Sequence, residues 1–373
     1  MSDALSIFSE IVDHPFSYAA SWKEESRGKV VGYCCSYAPE EIIHAAGALP
    51  FRLFGTDEGI SRADAHLQSY SCSLVRGALE DVLAGRLAFL DGTVFPHTCD
   101  SIQRLSDIWR LNAGVGFHID AVLPVKLNTP GARQYMADVL QAFRRDLGEA
   151  LGVDISDEKL SASIRVYNEI RQWLERLYRL RCSHPAAVSS SDVHTIVKAA
   201  MLMDRGRFLE VVPEAVQNLE KKVTGSTITG KKLVLAGGVC SMPDVYQIIE
   251  SGGGVVVWDD LCTGARYFEK AIAEDTDPIE AIAERYLDRT VCPAKHGGLR
   301  NRGQQLLRIV RETGAEGVIF LLLKFCDPHS FDYPYIKEML DAEGVASLHF
   351  EIEDRMPAEG QFQTRVQAFL EMI

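Results

Sequence analysis

Short apolar runs recur towards both ends of the chain, separated by polar or glycine-containing segments. The runs are rich in Val, Ile, Leu and Phe, which is typical of parallel strands buried on both faces. Segments with the apolar spacing of a helix alternate with them, and this alternation favours an α/β fold with open parallel sheets. The pattern predicts strands at 29–34, 51–54, 92–96, 121–125, 232–236, 254–259, 317–324 and 346–352, and helices at 39–47, 73–90, 242–251 and 303–313.

The middle of the chain has a different pattern. Apolar residues from Leu160 to Leu177 fall on one face of a long helix predicted at 156–181. Ser156 is a suitable N-cap for this helix, and 224–230 has the composition of a linker. We therefore predict an N-terminal α/β domain at 1–150, a helical segment with its linker at 151–228, and a C-terminal α/β domain at 229–373.

The two α/β regions look like duplicates of each other. In each, a predicted strand leads to a cysteine, a proline and an Ile-Ile pair on a helix; further on, another cysteine precedes a helix and a Cys-Asp pair ends a strand. The predicted fold is thus two open parallel-sheet domains, related by internal duplication and joined by a helical segment. The cysteines correspond in order, with Cys35, Cys72 and Cys99 matching Cys240, Cys292 and Cys326.

Composition narrows the class of protein. The chain has 373 residues, of which 47% are hydrophobic and 24% charged, as in an ordinary globular protein. Its net charge of −13 argues against nucleic acid as the main partner, because phosphate binding needs clustered cations. No apolar run approaches the roughly 20 residues that span a bilayer, and the first residues do not resemble a signal peptide. We therefore expect a cytoplasmic protein that binds neither membrane nor nucleic acid.

Nine cysteines are the main candidates for chemistry. Disulfides are rare in the cytoplasm, and most of these cysteines fall where an open sheet binds its ligand, just beyond predicted strand ends or at predicted helix starts. Cys34 and Cys182 are more typical of small core residues. The cysteines at strand ends are Cys35, Cys99, Cys240, Cys262 and Cys326, and those at helix starts are Cys72 and Cys292.

The spacing of the cysteines indicates what they hold. Zinc sites typically use closely paired cysteines, and the sequence contains no CxxC pair. Widely spaced cysteines on separate loops favour a larger group held by thiolates, such as an iron–sulfur cluster. A near match to the phosphate-binding loop at 225–232 lacks the Ser or Thr that holds magnesium and precedes a strand instead of following one. We therefore expect this chain not to bind ATP.

Four short motifs carry a family resemblance: Tyr-Ala-Pro-Glu-Glu-Ile-Ile-His-Ala-Ala-Gly-Ala-Leu-Pro at 37–50, Tyr-Ser-Cys-Ser at 70–73, His-Thr-Cys-Asp at 97–100 and Lys-Phe-Cys-Asp-Pro at 324–328. They resemble the catalytic iron–sulfur component of the 2-hydroxyacyl-CoA dehydratase and benzoyl-CoA reductase superfamily. The resemblance implies a cluster between two Rossmann-like domains and a homodimer or a heterodimer with a related subunit. It also implies electrons from a separate dimeric iron–sulfur ATPase, and an acyl-CoA or other small-molecule substrate.

The resemblance extends to the ligands. Cys72, Cys99 and Cys326 match, by motif, the three thiolates that hold one 4Fe–4S cluster in the dehydratases. Further cysteines are similar to the extra ones of the double-cubane cluster proteins in the same superfamily, in which six thiolates hold two cubanes. Seven candidates for six places leave one surplus, and Cys35 is the weakest match. The further candidates are Cys35, Cys240, Cys262 and Cys292.

Three functions are consistent with this sequence. The first is an iron–sulfur component that accepts low-potential electrons from an ATP-hydrolysing activator and reduces a difficult substrate at a double-cubane cluster. The second is a 2-hydroxyacyl-CoA dehydratase subunit with a single 4Fe–4S cluster and a ketyl-radical mechanism. The third is a non-catalytic electron carrier. The extra cysteines favour the first, because a single cluster leaves three of them without a role.

Overall fold

The computed structural model describes residues 3–56, 58–223, 230–239, 244–289, 292–353 and 359–373. Within these ranges the chain forms two four-stranded sheets in which every strand pairing is parallel. The predicted α/β fold with open parallel sheets is therefore confirmed. The strands are β1 (Lys29–Tyr33), β2 (Ala48–Arg52), β3 (Gly92–Pro96), β4 (Phe117–Ala121), β5 (Lys231–Gly237), β6 (Gly254–Asp260), β7 (Gly317–Leu323) and β8 (Ala346–Ile352).

Helices surround both sheets and fill the middle of the chain. In the described ranges, none is long and apolar enough to cross a membrane. The helices are α1 (Asp3–Asp13), α2 (Pro15–Ser26), α3 (Glu40–Ala45), α4 (Ser73–Leu83), α5 (Asp100–Asn112), α6 (Ala132–Leu151), α7 (Asp157–Ser183), α8 (Ser190–Leu202), α9 (Arg205–Lys221), α10 (Asp244–Ser251), α11 (Ala265–Phe268), α12 (Pro278–Asp288), α13 (Asn301–Thr313), α14 (Asp327–Ala342) and α15 (Glu359–Met372).

The two sheets have the same strand order. The first is β2-β1-β3-β4 and the second is β6-β5-β7-β8, so each strand of one half has an equivalent in the other. This shared topology supports the predicted internal duplication. The strand order reverses between β1 and β3, and again between β5 and β7. Open α/β sheets bind ligands beyond the carboxyl ends of the strands at such a reversal.

Two predicted strands were displaced along the chain. The strand predicted at 51–54 is β2 and begins three residues earlier, since Pro50 is tolerated in an edge strand and does not end the element. The strand predicted at 121–125 is β4 and lies four residues earlier, at Phe117–Ala121. β4 is also an edge strand, and its polar His118 and Asp120 interrupt the continuous apolar run that the prediction relied on.

The predicted long helix is confirmed as α7. Its N-cap is Ser156, whose side-chain oxygen accepts a hydrogen bond from the Lys159 amide at 3.4 Å. Leu160, Ile164 and Leu174 lie on its buried face. α1, near the start of the chain, packs against the central helices α8 and α9. The domain boundaries at 150 and 228 stay predictions, and the linker at 224–229 lies outside the described residues.

Candidate functional site

Four of the candidate cysteines lie just beyond strand ends, and two of them, Cys99 and Cys326, occupy corresponding places in the two halves. Cys99 and Cys326 each lie three residues beyond the end of their strands, β3 and β7, which occupy equivalent positions in the two sheets. Cys35 and Cys262 each lie two residues beyond β1 and β6. These four predicted placements are confirmed, and Cys240 lies outside the described residues.

Three of the candidate cysteines are N-cap residues of helices. Cys72 precedes α4, Cys99 precedes α5 and Cys326 precedes α14. Burial raises the pKa of each of these thiols, and nearby backbone amides of the first helical turn act in the opposite direction. Amides and the positive end of the helix dipole favour a thiolate at this position. We call Cys72, Cys99 and Cys326 the helix-cap trio.

The turn before Cys326 is held in an unusual backbone conformation. Phe325 has a φ of 64°, in the left-handed region that side chains other than glycine seldom adopt. The Cys326 amide donates a hydrogen bond to the Leu323 carbonyl at 3.0 Å, which closes the turn directly behind β7. The chain therefore reverses within three residues and presents Cys326 at the start of α14.

The other three described candidates lie on loops, and one prediction among them was wrong. Cys292 does not start a helix, because α13 begins only at Asn301. A turn follows Cys292 instead, closed by a 2.8 Å hydrogen bond from the Lys295 amide to the Cys292 carbonyl. The segment then pairs with the first half, since the His296 amide donates a hydrogen bond to the Val125 carbonyl. We call Cys35, Cys262 and Cys292 the loop trio.

The structure brings both trios into one group. Within the helix-cap trio, burial raises the pKa of Cys99 and Cys326 most, and charge interactions with Cys72 add to both shifts, as does Cys326 for Cys99, so the three lie within electrostatic range of one another. Within the loop trio, Cys292 interacts in the same way with Cys262 and Cys35. Interactions between the trios link the six residues into a single cysteine group: Cys99 with Cys35, and Cys326 with Cys292 and Cys262.

Burial controls the protonation of these thiols. Loss of water raises the pKa of Cys99, Cys292 and Cys326 to about 12, and the neighbouring cysteines add to the rise. In Cys99 and Cys326 the backbone hydrogen bonds act in the opposite direction. The metal-free thiols are therefore protonated at neutral pH. Only thiolates bind metal, so ligand binding here must release protons.

Four buried cations lie beside the cysteine group. Arg52, Arg266, Arg289 and Lys295 are each at most 5% exposed. Arg52 interacts with Cys35 and Cys262, Arg266 with Cys262 and Cys292, Arg289 with Cys35, and Lys295 with Cys35, Cys99 and Cys292. Buried charge is costly unless it is paired. Arg266 pairs with Asp260 at 2.9 Å, whereas Arg52, Arg289 and Lys295 have no carboxylate partner in the described structure and therefore favour negative charge on the neighbouring thiols.

The protein does not supply hydrogen-bond partners for all the nitrogens of these buried cations. Among the described residues, Nε and Nη1 of Arg52, Nη1 of Arg266 and Nε of Arg289 have no hydrogen-bond partner. Lys295 donates to the Leu123 carbonyl at 3.1 Å, which fixes the ammonium without neutralising it. A thiolate-ligated cluster is anionic and would balance such cations. The donor set and its surroundings therefore fit an iron–sulfur group.

The arrangement does not fit a single metal ion. No three His, Cys, Asp or Glu side chains of the described part are close enough together to hold one. Ligands of a cluster stand further apart, because several irons and sulfides lie between them. Cys182 stays outside the cysteine group, on α7 beside a surface cavity, and Cys34 is a buried neighbour of Cys35 and Cys72.

The chain matches a known family over most of its length. The model of the family "2-hydroxyglutaryl-CoA dehydratase, D-component" matches residues 35–373. This protein therefore belongs to the 2-hydroxyglutaryl-CoA dehydratase D-component family, as the sequence motifs predicted. The match includes every member of both trios.

Its relatives belong to dehydratases and reductases. A benzoyl-CoA reductase subunit of Thauera aromatica is 30% identical, over 94% of this chain and 92% of its own. The (R)-phenyllactyl-CoA dehydratase beta subunit of Clostridium sporogenes is 26% identical, over 98% and 97%. The beta subunit of (R)-2-hydroxyglutaryl-CoA dehydratase from Acidaminococcus fermentans is also 26% identical, over 98% of each chain. The chain is thus an enzyme component of the dehydratase and reductase type.

The four buried cations of the site were not predicted from the sequence. Lys295 lies three residues after Cys292, and Arg266 lies four after Cys262, so a basic residue shortly after a candidate ligand was an available signal. Arg52 gave no such signal. It ends β2, distant in sequence from any of the cysteines, and only the pairing of β2 with β1 brings it next to Cys35.

Proposed function

We propose that this chain is the iron–sulfur component of a dehydratase- or reductase-type enzyme. In this proposal it accepts low-potential electrons from a separate ATP-hydrolysing activator and delivers them to an acyl-CoA or another small substrate that is hard to reduce. The observation that carries the proposal is the convergence of six cysteines and four buried cations beyond the strand ends of both sheets. Because the relatives are subunits, we include a partner subunit, identical or related, in the proposal.

The division into two trios supports a double-cubane cluster over a single one. Three thiolates for each of two cubanes require six ligands, and the described structure groups six. Cys35 was the weakest candidate in the sequence, yet it interacts with both Cys99 and Cys292.

When bound, the cluster would supply one-electron chemistry at low potential. The protein contributes ligation and surroundings. The helix-cap trio offers sulfurs at the positive ends of three helices. The Thr98 hydroxyl donates a hydrogen bond to the Cys35 sulfur at 3.4 Å, and so fixes a member of the loop trio. The buried cations offset the negative charge of the thiolates, and the partial burial of the cysteines limits the access of water to them.

One observation favours the dehydratase alternative, with a single 4Fe–4S cluster and a ketyl-radical mechanism. The three cysteines that this alternative requires, Cys72, Cys99 and Cys326, are the ones that cap helices, and the loop trio lacks this feature. A shared local geometry is what three ligands of one cluster would have. The choice between one cubane and two therefore depends on whether the loop trio binds iron.

Metal counting tests the proposal. We expect the anaerobically purified protein to be brown, to bleach in air, and to contain iron and acid-labile sulfide. Cys262→Ser and Cys292→Ser should each lose about half of the iron and keep some cluster signal, since each removes one ligand of the loop trio only. Full iron and an unchanged spectrum in both variants would leave a single cluster on the helix-cap trio. A protein that stays colourless after reconstitution with iron and sulfide would refute the iron–sulfur assignment.

Cys182→Ser is the matched control, because this cysteine lies outside the cysteine group and should keep the iron content unchanged. A second measurement separates an enzyme from a carrier. With the activator and ATP present, the enzyme proposal expects turnover that depends on an added acyl-CoA substrate. Electron uptake without any such turnover would favour the non-catalytic carrier.

A further inference from the structure

The charges around the cysteine group are distributed unevenly. All four buried cations interact with members of the loop trio, and Lys295 also interacts with Cys99 of the helix-cap trio. Arg289 lies over the Tyr37 ring, whose hydroxyl accepts a hydrogen bond from the Cys292 amide at 3.4 Å. The described acids on this side are already engaged. Asp260 pairs with both Arg266 and Arg302, and Glu40 pairs with Arg205 at 3.0 Å. The loop trio therefore lies in a strongly positive environment.

The helix-cap trio has a different environment. Each helix N-terminus is equivalent to about half a positive charge. Two of the three helices carry an acid in the first turn, Asp100 in α5 and Asp327 in α14, and Asp327 interacts with Cys72. The two carboxylates slightly outweigh the roughly one and a half positive charges of the three helix ends. The loop trio thus faces three cations without a carboxylate partner in the described structure, Arg52, Arg289 and Lys295, besides Arg266 with its partner Asp260.

We infer that Arg52, Arg266, Arg289 and Lys295 form a cationic wall that makes the loop-trio half of the site the more easily reduced half. Reduction adds negative charge, so nearby cations stabilise the reduced state and raise the reduction potential. An electron supplied by the activator would then reside mainly on the loop-trio half. This inference rests on the proposed function, since it requires iron–sulfur ligation by both trios.

Arg52 provides the most direct test of the cationic wall. No carboxylate forms an ion pair with it in the described structure, and two of its nitrogens lack a partner, so removing its charge leaves no buried acid unpaired. In anaerobic redox titrations followed by visible and electron paramagnetic resonance spectra, we expect two transitions in the wild type. Arg52→Gln should move the higher-potential transition to more negative potentials and leave the lower one in place. Arg52→Lys keeps the charge and should restore the wild-type value.

Arg289 provides an independent variant in case Arg52→Gln does not fold. Its guanidinium lies over the Tyr37 ring, 3.9 Å from the centroid, and Arg289→Gln should move the same transition in the same direction. Asp327→Asn tests the opposite side, since loss of this carboxylate should move only the lower transition to less negative potentials. Arg207→Gln is the control, an exposed arginine on α9 that pairs with Glu210 and should move neither transition.

The outcomes separate the inference from the proposed function. Iron and sulfide are counted on the same samples. Iron for one cluster only would refute ligation by both trios, and the inference with it. Iron for two clusters, with transitions that do not move or that move together in Arg52→Gln and Arg289→Gln, would overturn the cationic wall and leave the proposed function standing. A selective shift reversed by Arg52→Lys supports both.

Discussion

Burial changes the pKa of ionisable side chains in this protein, and His194 on α8 is a clear example. It is 4% exposed, packs against the Tyr246 ring, and neither ring nitrogen has a hydrogen-bond partner in the described structure. Burial, with Lys198 and Arg181 nearby, lowers the pKa of His194 from 6.5 to about 3. The folded protein therefore keeps this imidazole neutral where the unfolded chain would protonate it.

This shift makes the fold sensitive to acid. A depressed histidine pKa means that the unfolded state binds more protons between pH 6.5 and about 3, so stability falls as the pH drops through that window. From about pH 7.5 to about pH 5 the contribution of His194 amounts to about 2 kcal/mol. We expect His194→Phe to reduce the pH dependence of the unfolding free energy by that amount, measured by urea denaturation at both pH values. The exposed His66→Phe should leave it as in the wild type, and an equal effect in both variants would contradict the prediction.

At the scale of the element, the loop after β6 determines where Cys262 lies. The Asp259 carboxylate accepts hydrogen bonds from the Leu261 amide at 3.2 Å and the Ala265 amide at 2.7 Å, which folds the loop around it. Gly264 lies against the same carboxylate, and a Cβ added there would overlap it. A glycine is needed at this position because of space and not because of its φ angle, which is −140°.

Gly264→Ala should therefore disturb Cys262 without changing a ligand. We expect Asp259 to be displaced and the iron content to fall towards that of Cys262→Ser, while the far-UV circular dichroism stays that of the wild type. Gly131→Ala is the matched control, because nothing in the described structure lies within 4 Å of a Cβ at that position. Unchanged iron in Gly264→Ala, together with reduced iron in Cys262→Ser, would show that the loop does not position the ligand.

At the scale of the whole molecule, a buried charged network ties the first half to the central helices. Arg205, at the start of α9, is 0% exposed and donates to Glu40 of α3, to the Pro50 carbonyl in β2 and to the Tyr167 hydroxyl of α7, each at 3.0 Å. Tyr267 of α11 also donates to Glu40, at 3.2 Å. One buried ion pair thus connects four helices and a sheet.

Removing one partner of the Arg205–Glu40 ion pair should lower the free energy of unfolding. Arg205→Met leaves Glu40 buried without its cation, and we expect a loss of about 3–5 kcal/mol in the free energy of unfolding. The double variant Glu40→Gln/Arg205→Met should lose less than the sum of the two single variants, because it removes both charges. The exposed Arg207→Met on the same helix should change stability by no more than about 0.5 kcal/mol. Strict additivity in the double-mutant cycle would contradict the coupling.

The sequence by itself determined the fold class, the duplication and most of the candidate ligands. Buried parallel strands appear as continuous apolar runs, so the inner strand β3 was predicted with its observed ends. The ends of the edge strand β8 were also predicted as observed. The edge strands β2 and β4 were displaced, because a strand with one open side tolerates Pro50 and Asp120. Cysteines after strand ends were recognisable because the topology of an open sheet assigns them to one edge.

Only the tertiary structure decided how the cysteines divide and what surrounds them. The separation into helix-cap and loop trios depends on where helices begin, and the helix start predicted at Cys292 was wrong. The cationic wall depends on β2 pairing with β1, which brings Arg52 to Cys35, and on loops of the second half meeting the first. Local patterns carry information about neighbours along the chain. Charges that act across a shared buried space become neighbours only when both sheets are in place.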